Sequence, residues 1–155
     1  MKWRLWVDET PSMHLPERRL VTQKITQAID LVWKRNRNEV VRKDNWAWSE
    51  SPLILISDFI WGVQQWKEFH RARRQQRIIA VHVLYSEEQK WDLPDELIED
   101  CETRERLRID RNIPEVQQKQ SEYWKEVSEN LRGVIVGNWV IRRDDLTCLE
   151  GVLWN

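Results

Sequence analysis

Leu5-Trp6-Val7-Asp8-Glu9-Thr10-Pro11-Ser12-Met13 is an apolar run that stops at an acid and continues into two hydroxyl residues at a spacing of two. A buried strand ending in Asp-x-Thr-x-Ser sets one carboxylate and two hydroxyls on a single loop. Hard divalent cations such as Mg²⁺ or Mn²⁺ take oxygen ligands and complete their shells with water, so Asp8, Thr10 and Ser12 are candidate metal ligands. The same residue types build turns and cap helix N-termini, which leaves a plain capping turn as the alternative reading.

A second run of the same kind, Leu53-Ile54-Leu55-Ile56-Ser57-Asp58-Phe59, also ends in an acid, and Ile78 to Leu84 forms a third. Continuous aliphatic runs of this length suit strands buried on both faces of a parallel sheet. Pro16 and Glu17 open a helix whose apolar positions Leu20, Val21, Ile25, Ala28, Ile29, Val32 and Trp33 recur at three and four. Val63, Trp66 and Phe69 mark a second helix, and Pro114 starts a third with Val116, Tyr123, Trp124, Val127 and Leu131 on its apolar face and Gly133 as its stop. Between these, 38–51 carries a short strand around Val40-Val41 and a connection with Trp46 and Trp48. The polar excursion 86–110 includes a short hairpin around Leu107 to Asp110. Val134-Ile135-Val136 starts a further strand or strand pair reaching Val140-Ile141, and Asp144 to Trp154 forms a last short helix.

Strands alternating with helices predict an α/β fold of Rossmann type, a doubly wound, mostly parallel sheet with helices on both faces. No repeat or linker divides the 155 residues, so one domain over 1–155 is expected. Ligands in this class bind beyond the carboxyl ends of the strands, where Asp8 and Asp58 both belong.

The 25 basic and 26 acidic residues nearly cancel, so no global field steers the chain towards nucleic acid or an anionic membrane. Arg71, Arg73, Arg74 and Arg77 read as a solvated helix end rather than a phosphate-tracking patch. Cys101 and Cys148 have no zinc-type spacing, no apolar run spans a bilayer, and the chain opens into a strand, all of which point to the cytoplasm. The four glycines do not cluster into a phosphate loop. His82, inside an aliphatic strand, is expected to be a satisfied core histidine, and His14 to be exposed. Eleven tryptophans against two Phe and two Tyr predict either indole rings at the margin of the core or on a contact surface, or rings that simply fill a small core with few large aliphatics.

The Val7-Asp8-Glu9-Thr10-Pro11-Ser12-Met13 loop resembles the Asp-x-Ser-x-Ser metal-ion-dependent adhesion motif of von Willebrand factor A-like domains, with Thr for the first Ser. From Leu53 onward the chain looks like the bacterial branch of that family that accompanies MoxR-type AAA+ ATPases. The matching pieces are Leu53 to Phe59, Ile79-Ala80-Val81-His82-Val83, Leu93-Pro94-Asp95, Glu102-Thr103 with Ile109-Asp110, and the Tyr123 helix leading to Gly133-Val134. A full domain of this kind has further elements before the Ser-Asp strand that bring a Thr loop to the metal. Here only 38–52 fills that gap, and Thr22 and Thr26 lie in the first helix, so the resemblance is to a pared-down member.

The resemblance implies that Asp8, Thr10, Ser12 and Asp58 hold Mg²⁺ (or Mn²⁺), directly or through water, with a position open to a partner's carboxylate. It implies a non-enzymatic protein-binding module, adaptor or subunit of an AAA+ ATPase-linked complex, with no membrane or nucleic-acid partner. On that reading Asp8→Ala weakens partner capture and leaves the fold intact. Two alternatives remain. One is a metal-dependent phosphoryl-transfer enzyme or nuclease, which needs further acids in the cleft such as Glu87 or Asp92. The other is a metal-independent structural subunit.

Overall fold

The computed structural model describes residues 2–37, 39–42, 51–85, 97–99, 106–108 and 114–141. Strand β1 (Lys2–Val7) leads through a 3-10 turn (Pro11–His14) into α1 (Pro16–Arg35), then β2 (Glu39–Arg42), β3 (Leu53–Ser57), α2 (Val63–Gln75) and β4 (Ile78–Tyr85). β5 (Leu97–Glu99), β6 (Arg106–Arg108), α3 (Pro114–Asn130) and β7 (Ile135–Ile141) follow. Five strands make one parallel sheet in the order β2-β1-β3-β4-β7, and β5 pairs antiparallel with β6 in a separate ribbon.

Strand alternation divides the core into two halves. Trp3, Leu5, Ile54, Ile56, Val81 and Val83 face one side, where Val21, Ile25 and Ile29 of α1 cover them. Leu53, Leu55, Ile78 and Ala80 face the other, under Trp66, Phe69 and Ala72 of α2 and Val127 and Leu131 of α3. Helices on both faces are what allow every residue of β3 to be apolar or buried. The expected parallel sheet with helices on either side is therefore present.

From β1 the chain turns through α1 to β2 on one side, and from β3 through α2 to β4 on the other. The point where the order reverses thus lies between β1 and β3. Val7 stands opposite Ile56, so Asp8 and Asp58 emerge side by side from the carboxyl ends at that reversal.

Some expectations shift. Leu20, read as part of the α1 apolar face, is 40% exposed, and Val63 is 73% exposed. A strict three-residue step drifts by about 60° around a 3.6-residue helix, so Trp66, Phe69 and Ala72 turn inward while Val63 is carried off the stripe. The ribbon pairs Leu97–Glu99 with Arg106–Arg108 instead of turning within 107–110. Of the tryptophans whose side chains are described, Trp3, Trp61 and Trp66 fill the core and Trp6, Trp33 and Trp124 sit partly buried at its margin. The expected helix at 144–154, Trp46, Trp48, Glu87, Asp92, Cys101, Cys148 and the matching pieces at 93–95, 102–103 and 109–110 lie outside the described residues. No helix among the described residues is long and apolar enough to cross a membrane.

Gly133 ends α3 with φ +78°, a conformation that penalises a side chain, and Val134 N–H closes the turn on Leu131 O at 3.1 Å. Arg73 of α2 donates to Asn130 O at 2.9 Å and to Arg132 O, so one basic residue satisfies the carbonyls left open at that helix end. A Cβ on Gly133 would lie 3.3 Å from Arg73 Nη2. Gly133→Ala should cost about 1–2 kcal/mol in urea unfolding, and Arg73→Ala should weaken the same junction.

Candidate functional site at the strand-end reversal

The structure brings Asp8, Thr10, Ser12 and Asp58 into one buried cluster at the reversal point. Asp8, Ser12 and Asp58 are 3%, 1% and 1% exposed. Asp8 Oδ2 accepts from the Ser57 hydroxyl at 2.6 Å and the Trp61 indole N–H at 2.8 Å, and its Oδ1 accepts from Thr10 N–H at 2.9 Å. Thr10 Oγ1 and Ser12 Oγ share a hydrogen bond at 3.2 Å. Asp8 is thus a hub that ties the first loop to β3 and to the loop after it.

Asp58 is organised around Arg18. The guanidinium Nη1 lies 3.0 Å from Asp58 Oδ2 and 3.1 Å from Ser12 O, and Arg18 is fully buried. Asp58 Oδ1 accepts from Ile60 N–H at 3.0 Å. Burial pushes the Asp58 carboxyl above its ordinary range, and nearby Asp8 adds to this, while Arg18, the Ser12 hydroxyl and Ile60 N–H pull it back. Each of those last three contacts serves the charged form.

Tyr85, at the end of β4, holds the arginine from the other side. The Arg18 guanidinium lies 4.7 Å over its ring, Arg18 N–H donates to its hydroxyl at 3.2 Å, and that hydroxyl donates to Glu17 at 3.2 Å. Burial, the largest cause, pushes the Tyr85 hydroxyl up to about 12, so it stays a neutral donor.

The loop after β3 is strained and heavily tied. Phe59 has φ +57°, rare for a bulky residue, and such a conformation costs on the order of 1–3 kcal/mol and persists only where its surroundings impose it. Here Phe59 N–H donates to Ser57 Oγ at 2.9 Å and the Tyr123 hydroxyl donates to Phe59 O at 3.0 Å. Its ring packs with Trp61 at 4.7 Å, His82 at 5.2 Å and Trp66 at 6.0 Å between centroids.

His82 is 6% exposed, with Nε2 3.1 Å from Asp58 O, as expected of a satisfied core histidine. Burial first, and then the Arg18 charge, lower it to about 4 against the pull of Asp58 O. The unfolded chain therefore binds the extra proton more readily, and stability falls as pH drops from about 6.5 through 4. This group accounts for roughly 3 kcal/mol over that window. Urea unfolding at neutral pH and near pH 4 should show a smaller acid loss in His82→Gln than in the parent. Asp58, shifted the opposite way, is common to both chains and drops out of the difference. His14 is exposed, as expected.

Beside Asp8, a cleft of about 250 Å³ is lined by Glu9, His14, Arg19, Thr22, Gln23 and Thr26 among others. The two α1 threonines thus border the site. Thr26 Oγ1 donates within the helix to Thr22 O at 2.8 Å, and Thr22 Oγ1 is buried with no hydrogen-bond partner among the described residues.

Mg²⁺ keeps near-octahedral oxygen coordination with several waters. In this cluster the acids face protein donors and a guanidinium, and a doubly charged ion about 4 Å from that guanidinium would be repelled by roughly 8 kcal/mol at an effective dielectric of 20. No group of three or more His, Cys, Asp or Glu that could hold a metal occurs among the described residues. The arrangement fits an internal cation and does not fit the divalent ion that the sequence resemblance implies.

Asp8, Thr10, Ser12 and Asp58 stand out in the sequence by their place at strand ends, whereas Arg18, Trp61 and Tyr85 join the site only through the fold. A signal for Arg18 was available, since a basic residue in the first turn of a helix opposes the macrodipole and so invites a nearby carboxylate. Compared with protein-family models, with curated proteins and with solved structures, the chain matches none.

Proposed function

We propose that this chain is a non-enzymatic protein–protein interaction module of reduced von Willebrand factor A-like type. It serves as an adaptor or structural subunit of an AAA+ ATPase-linked complex, and its strand-end face works without a metal. The observation that carries this reading is that both acids at the sheet reversal are already committed to partners within the chain. A general acid, base or nucleophile needs a group free to reach substrate, and a metal-dependent hydrolase needs its acids free for the ion. Beside these acids, Ile60 on the loop braced by Phe59 and Trp61 and Val63 at the start of α2 offer 39% and 73% exposed apolar side chains, an edge suited to protein contact.

The test is a tagged pull-down from the native host in nucleotide-free buffer, run with Mg²⁺ and with EDTA. An AAA+ ATPase retained equally in both, and lost when Ile60 and Val63 are changed to Asp, is the expected result. Retention only with Mg²⁺ contradicts the metal-free mechanism, and Mg²⁺-dependent turnover of a phosphate ester by the purified chain contradicts the non-enzymatic reading.

A further inference from the structure

We infer that the Arg18 guanidinium stands in for a divalent cation, and that the pocket it fills is a latent cation site that opens when the arginine is removed. Arg18 Nη1 sits between a carboxylate oxygen of Asp58 at 3.0 Å and the carbonyl oxygen of Ser12 at 3.1 Å. The Ser12 hydroxyl hydrogen-bonds to Asp58 and lies 3.2 Å from Thr10 Oγ1, and the Asp8 carboxylate is close enough to act on Asp58 electrostatically. The two groups that Nη1 meets and the hydroxyls and carboxylate tied to them all offer oxygen, the ligand that hard divalent ions prefer and that a softer metal would not select.

The arginine is not a surface side chain folded in for want of a partner. α1 delivers it from the first turn after Pro16, where the helix dipole disfavours a positive charge. Tyr85 stacks on its guanidinium and holds its backbone N–H, and Glu17 in turn accepts from Tyr85. A dedicated clamp on β4 therefore keeps the cation in the pocket. A site filled in this way is permanently charged, indifferent to chelators and unable to offer an open coordination position to a partner's carboxylate. Contact through this face then depends on its shape and apolar edge.

This pocket lies on the face assigned above to partner binding, yet the purified chain alone tests it, so failure of partner capture leaves it intact. Mn²⁺ binding is read by electron paramagnetic resonance near neutral pH for the parent, Arg18→Ala and Arg18→Gln, with circular dichroism reporting the fold. Glutamine also brings a carbonyl oxygen that can join the ligand set. The parent should leave Mn²⁺ free at millimolar concentration, whereas the Arg18 variants should bind at least about tenfold more tightly and lose that gain when Asp58→Asn is added. A rise in melting temperature on adding Mg²⁺, confined to the variants, is the second readout and reports even on a chain loosened by the loss of the arginine. Asp58-dependent Mn²⁺ binding by the parent would overturn the inference. So would folded Arg18→Ala and Arg18→Gln chains that bind no better than the parent.

Discussion

Arg18→Met should lower stability by about 3–5 kcal/mol at neutral pH, one of the two largest losses expected of any single change in this cluster. Methionine keeps most of the apolar stem, so the loss isolates the charged head. Taking two ions out of water is expensive, and their attraction inside the protein only roughly repays it, so the intact pair adds little net stability. Removing one partner is different, because Asp58, 1% exposed, is left as an unpaired buried acid beside Asp8. The variant should recover part of the loss by taking up a proton at Asp58, which makes it relatively more stable as pH falls. Urea unfolding at two pH values measures both effects. A loss below about 1 kcal/mol would mean that the guanidinium is not anchored where it lies.

Asp8→Ala should cost a similar amount, about 3–5 kcal/mol, for a different reason. It strips the acceptor from Ser57 Oγ, Trp61 Nε1 and Thr10 N at once, and Ser57 and Trp61 are buried. Hydrogen bonds to a charged group contribute about 1.5–3 kcal/mol each, and the sum is reduced because removing Asp8 also relieves its repulsion of Asp58. Asp8→Asn should be milder, since its carbonyl oxygen can replace Oδ2 towards Ser57 and Trp61 while its amide faces Thr10 N–H. The order Ala below Asn below parent, read from unfolding midpoints, checks this assignment. It also reverses the simple adhesion expectation that Asp8→Ala spares the fold, because a residue wired into three elements cannot be removed silently.

The central strands and the two acids were legible in the sequence for a plain physical reason. Leu53 to Ser57 reads as a doubly buried strand because only a parallel sheet covered on both faces lets successive residues all be apolar, and an acid at the end of such a run has nowhere to go but the strand-end crevice. Asp8 and Asp58 could thus be paired without any structure. Arg18 is legible only in part: its charge in the first turn of α1 calls for a nearby carboxylate, but which one, and its burial, are decided by Asp58 and Tyr85, which lie 40 and 67 residues away in the chain. Locally it looks like a solvated position in the opening turn of an amphipathic helix. Trp61 carries no local signal of its role, since its indole N–H finds Asp8 across 53 residues. Val63 shares the helical spacing of Trp66 and Phe69 that marks α2, and helix geometry carries it into solvent while they turn inward. Ligand spacing along a chain marks where donors can gather but not which cation they gather around.

The most direct measurement is a double-mutant cycle between Arg18→Met and Asp58→Asn, read by urea unfolding at neutral pH with the parent and both single variants. A guanidinium that serves as the resident cation of this site predicts a coupling of about 2–3 kcal/mol, with the double variant clearly more stable than the sum of the single losses. Losses that add within about 0.5 kcal/mol would contradict it, and would return the strand-end acids to the pool of groups open to a metal ion.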